Sequence, residues 1–420
     1  MDQTRPPQWG SRWLRRWTTL LCLVALPLAT ASAAPPGRRV TVWVTSMPEK
    51  IPANAPVPPN PERMARISAA RNEFEAFQIV VSGFASGVHA AATPLTGPAP
   101  ADVISEVRLY QEALIEIAQP SSLDGMTGRL PDALIPERDE IVGEARNAFP
   151  FDVAPGESRA IWVEVFVPET AAPGIYRGEV KVSFFGKVRA VIPVELTVWD
   201  FALPSTSSVR SAFGLSFGAL PAGHGIDPND LAGLATLRAR YGQFALDHRI
   251  TLSRHDDGLF GDFGHFEAYY GPLMRGTAPT RLRGAHLTAV EYLGPLTDVP
   301  NLRRWAEHYR ANGWFDRLFQ YTCDEPPNER CGWADIVARA GAAKEADPEF
   351  RTLVTTTIQE ADRNNVGPYI DLLVPIVNAM DDKAGIYAGN QRPFYDPFLA
   401  SDPLNELWMY QACLSHGCGG

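Results

Sequence analysis

Outside a short stretch near its start, the chain has no apolar run that approaches the length needed to cross a bilayer. It also lacks an excess of positive charge: Lys and Arg number 38 against 48 Asp and Glu, for a net charge of −10. No basic stripe is available to hold anionic lipid, and nucleic acid is not expected as a partner. Histidine is scarce, at eight residues, and none is spaced with cysteine as a zinc ribbon requires. The sequence therefore calls for no metal and no cofactor. Helix-period runs of useful length are missing before about residue 203.

The exceptional apolar stretch has the form of a leader. Arg12, Arg15 and Arg16 precede an apolar run over 20–28, and Ala31-Ser32-Ala33 supplies small residues for cleavage. Residues 1–33 are expected to be a secretory signal peptide, which places the protein in the periplasm or outside the cell. Removing its four arginines and one aspartate takes the net charge from −10 to −13. Four cysteines then remain, Cys323, Cys331, Cys413 and Cys418, an even number in an exported chain. Local disulfides 323–331 and 413–418 are the simplest of three possible pairings.

From 38 to 203 the pattern is that of β-structure. Val40, Val42 and Val44 alternate with other residues, as do Ile161, Val163, Val165 and Val167, and later Val194, Leu196 and Val198. Period two marks half-buried strands, and Pro173-Gly174 and Phe185-Gly186-Lys187 supply turns between them. An antiparallel β-sandwich is the expected fold of this part. After the polar Ser205-Thr206-Ser207-Ser208 the rhythm changes. Strand-like runs at 209–217, 250–253, 287–293, 318–323, 351–357, 372–377 and 406–410 alternate with helical ones. A (β/α)8 TIM-barrel domain is expected over 209–420. Seven strands fall one short of closure, so either the chain is truncated at its C-terminus or the count is off by one.

The run Leu318-Phe319-Gln320-Tyr321-Thr322-Cys323 ends in Asp324-Glu325, and Pro326-Pro327 cannot donate to a continuing ladder. A helix follows, with Trp333, Ile336, Val337 and Ala340 in register. Two adjacent acids there are either helix-capping groups or catalytic groups at a barrel mouth. Tyr321, Asn378, Trp408 and Tyr410 fall at or near strand ends, where they would meet a ligand or fill the barrel. His255, Asp256 and Asp257 follow the second strand and either line the site or form a solvated loop.

Several stretches resemble glycoside hydrolase family 123 and the related DUF4091 proteins. They include Arg71-Asn72-Glu73-Phe74-Glu75-Ala76-Phe77-Gln78, Pro131-Asp132-Ala133-Leu134-Ile135-Pro136 and Val198-Trp199-Asp200-Phe201-Ala202-Leu203-Pro204. Asp247-His248-Arg249-Ile250, Asp324-Glu325-Pro326 and Leu407-Trp408-Met409-Tyr410 continue the likeness into the second half. The resemblance implies a sandwich followed by a barrel, with an Asp-Glu pair ending the fourth strand. It implies substrate-assisted, retaining hydrolysis of β-linked N-acetylhexosaminides, N-acetylgalactosaminides first. In that scheme the 2-acetamido oxygen of the substrate attacks the anomeric carbon. Glu325 would be the general acid/base and Asp324 would orient the acetamide. The competing expectation is a non-catalytic carbohydrate-binding or surface protein that keeps the glycosidase fold.

Overall fold

The structure, a computed structural model, describes residues 40–120, 125–216, 218–255, 259–376 and 392–410. The expected leader, Asp256, Asp257, Asn378 and the Cys413–Cys418 pair lie outside the described residues. No helix among those described is long and apolar enough to cross a membrane.

Twelve strands make the first part: β1 Thr41–Ser46, β2 Ala65–Arg71, β3 Glu73–Ser82, β4 Ala85–Ala92, β5 Leu95–Thr96 and β6 Val103–Ile104, then β7 Val107–Ile117, β8 Gly128–Pro136, β9 Phe151–Val153, β10 Ser158–Val167, β11 Gly174–Phe184 and β12 Lys187–Ala202. One sheet runs β1-β3-β10-β7-β8 and the other β2-β12-β11-β4-β9, with β5 and β6 beside β11. Alternate residues point into one shared core: Phe77, Ile79 and Val81 from β3 and Ile161, Val163 and Val165 from β10 meet Val180, Val182, Val194 and Leu196 from the opposite sheet. Each such Val or Ile stabilises the fold by roughly 1.5–3 kcal/mol through burial. The sandwich departs from the expected all-antiparallel form, because β2 pairs with β12 in parallel. Only Asn72, in the left-handed conformation at φ 59°, separates β2 from β3. The chain switches sheets at that one residue, and this lays β2 along the edge of β12.

The second part contains α1 Ala219–His224, α2 Leu231–Asp247, α3 Phe263–Tyr269, α4 Gly271–Arg275, β13 Val290–Glu291, α5 Val299–Ala311 and β14 Leu318–Cys323. These are followed by α6 Trp333–Ala346, β15 Arg351–Val354, α7 Ile358–Arg363, β16 Leu372–Leu373, α8 Arg392–Ser401 and β17 Glu406–Leu407. Asp230 caps α2 by accepting from the Gly233 amide. Helix α5 is capped by Asp298 and buries Leu302, Trp305 and Tyr309. It ends at Asn312, and Gly313 follows at φ 70°. In α6, Ile336, Ala340 and Ala343 face the sheet, while Val337 is exposed.

The expected closed (β/α)8 barrel is not what forms. The described strands make an open sheet of five parallel strands, β13-β14-β15-β16-β17, which is a curled half-barrel. Among the described residues, the runs at 209–217 and 250–253 contribute an isolated bridge, Phe213–Leu252, and a backbone bond from the Glu291 amide to the Ser253 carbonyl at 2.9 Å. Side-chain hydroxyls take other amides that a regular ladder would use. The Thr251 amide donates to Ser211 Oγ at 3.0 Å, and the Thr288 amide donates to Thr251 Oγ1 at 3.0 Å. Thr251 Oγ1 and Thr288 Oγ1 lie 2.8 Å apart. Hydroxyls that satisfy backbone amides compete with strand pairing.

The sandwich and the half-barrel share a core, in which Phe166 packs with Ala235, Leu246 and Phe266. Asn72 Nδ2 donates to the Leu203 carbonyl at 2.9 Å, and Arg249 donates to the carbonyls of Pro204 and Asn72. Arg281 is largely buried in this interface. Its guanidinium, 4.1 Å from the Phe74 ring centroid, meets Glu164 at 2.9 Å, Glu140 at 3.0 Å, Glu106 at 3.3 Å and Asp247 at 3.9 Å. Removing one partner from a buried ionic cluster leaves charge uncompensated, a loss of about 3–5 kcal/mol. Arg281→Met should therefore destabilise the protein by about that amount in urea unfolding at pH 7. A loss below about 1 kcal/mol, the value expected of a surface ion pair, would show that the cluster does not hold the two parts together.

Candidate functional site

Strand β14 carries Phe319 and Tyr321 toward the concave face of the sheet, where Phe319 packs with Leu353, Leu372 and Val374. The ladder shifts register between Tyr321 and Cys323 and stops there. Asp324 and Glu325 thus stand on a turn beyond the strand, not on the strand itself. Strand alternation does not separate their side chains. The turn does: Glu325 adopts the left-handed conformation at φ 46°, unusual for a residue with a side chain. That conformation costs on the order of 1 kcal/mol and persists only where surrounding contacts impose it.

Thr355, just past β15, is the principal such contact. Its Oγ1 accepts from the Glu325 amide at 2.7 Å and donates to Asp324 Oδ1 at 3.0 Å. Tyr321 donates to the same Asp324 oxygen at 2.6 Å. Burial and the Asp324 hydrogen bond both push the Tyr321 hydroxyl upward, so it remains a donor through the neutral range. Tyr410, bridged to Ile376 beyond β17, donates to Glu325 Oε1 at 2.7 Å. Asn328 Nδ2 donates to the Asp324 and Glu325 carbonyls, closing the turn. Cys323 and Cys331 are joined by a disulfide, and Arg339 donates to the carbonyls of Thr322 and Arg330 on the same turn. Both carboxylates are exposed, as a group that must meet a ligand requires.

A cavity of about 470 Å³ opens beside Asp324, lined by Arg254, Glu291, Tyr321, Asn328, Arg330 and Arg339 among others. Glu291 ends β13, the strand next to β14, and its carboxylate lies 3.4 Å from Arg254 Nε. Burial pushes the Glu291 carboxyl up to about 7, the Asp324 charge adds to the rise, and Arg254 opposes it.

The residues singled out in the sequence divide as follows. Asp324, Glu325, Tyr321 and Tyr410 come together through direct hydrogen bonds. Trp408 lies on the same concave face with its ring edge toward Phe319 at 5.9 Å, and its Nε1 donates to Glu406. His255 is not part of the group. It is buried against Tyr270 and under Gly242, and burial holds its imidazole down at about 4. Thr355 and Glu291 were not singled out. The signal for each was faint: a Thr-Thr-Thr tract closing one apolar run, and a lone acid inside another.

No protein-family model matches the chain, and no curated protein matches it. Among solved structures, a family 123 glycoside hydrolase from Clostridium perfringens, described for its hydrolysis of glycolipid glycans, aligns at a TM-score of 0.61. The alignment covers 89% of this chain and 72% of that one, at 11% identity. This chain shares that enzyme's fold. A fibronectin-binding fimbrial protein of enteroaggregative Escherichia coli matches 38% of the chain at 12% identity, with a TM-score of 0.19. A β-glucosidase from Listeria innocua matches 39% of the chain and 16% of its own length at 11% identity, with a TM-score of 0.17. These two scores are too low to bear on function.

Two stability predictions follow from the turn. Thr355→Val removes the acceptor for the Glu325 amide and should cost about 1–2 kcal/mol in urea, whereas Thr355→Ser should cost less than half of that. Equal costs would mean that shape, not the hydroxyl, holds the turn. The disulfide closes a loop with a sequence separation of 8, so reduction should remove about 2–3 kcal/mol. An unchanged melting temperature after reduction, with both thiols shown to be free, would refute this.

Proposed function

We propose that the protein is an exported glycoside hydrolase that cleaves β-linked N-acetylhexosaminides, N-acetylgalactosaminides in preference, by substrate-assisted retaining hydrolysis. One observation carries this reading: two exposed carboxylates on one turn, each oriented by its own tyrosine hydroxyl, with a cavity that Asp324 lines. The shared fold with a family 123 glycoside hydrolase supports it. The action of that enzyme on glycolipid glycans makes such glycans reasonable first substrates to test here.

In the proposed reaction Glu325 gives its proton to the glycosidic oxygen as the bond to the anomeric carbon breaks. The 2-acetamido oxygen of the substrate forms the new bond to that carbon and yields a cyclic oxazolinium ion. Glu325, now ionised, takes a proton from water, and the water oxygen opens the ring with retention of configuration. Asp324 accepts the acetamide N–H and stabilises the positive charge that develops on the acetamide. Tyr321 and Thr355 leave one Asp324 oxygen fully engaged, so the other is the oxygen available to the substrate. Tyr410 fixes the Glu325 carboxyl in the same way.

The two acids should then fail differently when changed. Glu325→Gln should lose about 100- to 10,000-fold in kcat on poor leaving groups and much less on nitrophenyl glycosides with acidic leaving groups. Asp324→Asn should be impaired whatever the leaving group, and a thiazoline mimic of the intermediate should inhibit it weakly and the wild type strongly. A wild type that ignored the thiazoline and cleaved sugars lacking the 2-acetamido group equally well would rule out substrate assistance. A wild type that bound N-acetylhexosaminides without cleaving any would favour the non-catalytic reading.

A further inference from the structure

The Arg254–Glu291 pair is the part of the cavity that the proposed reaction leaves without a role. Glu291 reaches it from β13 and Arg254 from the segment after the Phe213–Leu252 bridge, so two adjacent chain segments deliver opposite charges to one wall. The Glu291 side chain is only 11% exposed, whereas that of Arg254 is 39% exposed. The acid is thus the more buried member of the pair and the arginine the more exposed one. We infer that Glu291 is a positioning residue: its carboxylate holds the Arg254 guanidinium at the cavity wall as a hydrogen-bond donor to hydroxyl groups of the sugar seated against Asp324. This deepens the hydrolase reading and rests on it.

A guanidinium suits this task because its N–H groups form a rigid fork that can engage adjacent ring oxygens together, provided its orientation is fixed. The groups facing Glu291 are Arg254 across the pair, Asp324 and Tyr321 on the neighbouring strand end, and Glu329, Arg330 and Arg339 around the rest of the cavity. With burial holding the Glu291 carboxyl near 7, the pair is formed above that pH and lost below it. Because the folded value lies above the ordinary carboxylate value of 4.5, the sign for stability is the reverse. The fold is favoured below pH 4.5 and loses that advantage as pH rises through about 7. The pair is thus retained at a cost to stability, as a functional group would be.

The test is the pH dependence of KM, read separately from kcat, for the wild type, Glu291→Gln, Glu291→Asp and Arg254→Met. Between pH 8 and pH 6 the wild-type KM should rise about tenfold, following protonation of a group near 7. Glu291→Gln should show the raised KM at both pH values, and Arg254→Met the same pH-independent KM. Glu291→Asp should restore part of the dependence. Glu291→Gln should also match or exceed the wild type in urea stability at pH 8, which separates a lost positioning contact from a damaged fold. An active wild type whose KM does not change with pH, or a Glu291→Gln variant that keeps the wild-type KM and pH dependence, overturns the inference alone. A wild type inactive on every N-acetylhexosaminide overturns the hydrolase reading and this inference with it.

Discussion

Arg281 is the group on which the arrangement of the two halves depends. One guanidinium serves three glutamates of the sandwich and one aspartate of α2, and it covers the face of Phe74. Four carboxylates drawn together without it would repel one another in a poorly hydrated space. With it, β3, β7, β10 and the loop before β13 are bound to one point. The same loop leads through Thr288 into β13, so the position of Glu291 is set in part from the sandwich side. Among the described residues the sandwich carries no catalytic constellation of its own, but it helps to fix the wall on which Arg254 and Glu291 meet.

The sandwich was legible because its signal is local. Alternation in β10 and β12 reports directly which side chains enter the core, and turn residues mark where each strand stops. The parallel pairing of β2 was not legible, since it depends on a single left-handed residue, Asn72. The half-barrel was harder to read. Its strand-like runs are real apolar segments, but whether a run forms a ladder depends on what its neighbours offer. At Ser211, Thr251 and Thr288 the neighbours offer hydroxyls, and the backbone amides use them. Apolar periodicity cannot report that exchange, so it suggested a closed barrel where an open sheet forms.

The candidate site divides along the same line. Asp324 and Glu325 stood out because two prolines follow them and a buried run precedes them, all within ten residues. Thr355 lies |i−j| = 31 from Asp324, and Tyr410 lies 85 from Glu325, so neither contact leaves a trace in local sequence. Tyr410 was found only because aromatic residues at strand ends are suspect as a class. His255 was suspect because it follows the strand-like run at 250–253. The helices α2 and α4 close over it and place it in the interior instead.

What distinguishes the turn after β14 is that several unfavourable features converge there. Glu325 has a backbone conformation that most residues avoid, Asp324 keeps one oxygen committed to two hydroxyls, and Glu291 remains buried nearby at the edge of ionisation. The first and the last oppose folding by themselves, and neither is required to end a strand, which Pro326 and Pro327 already do. A turn with only a structural task would shed them, because a glycine at 325 and an apolar residue at 291 would relieve both. The disulfide, the Arg339 contacts and the Asn328 side chain instead hold the strained arrangement in place. Strain retained against such easy relief accords with the proposed function, in which a ligand needs both carboxylates presented outward at once.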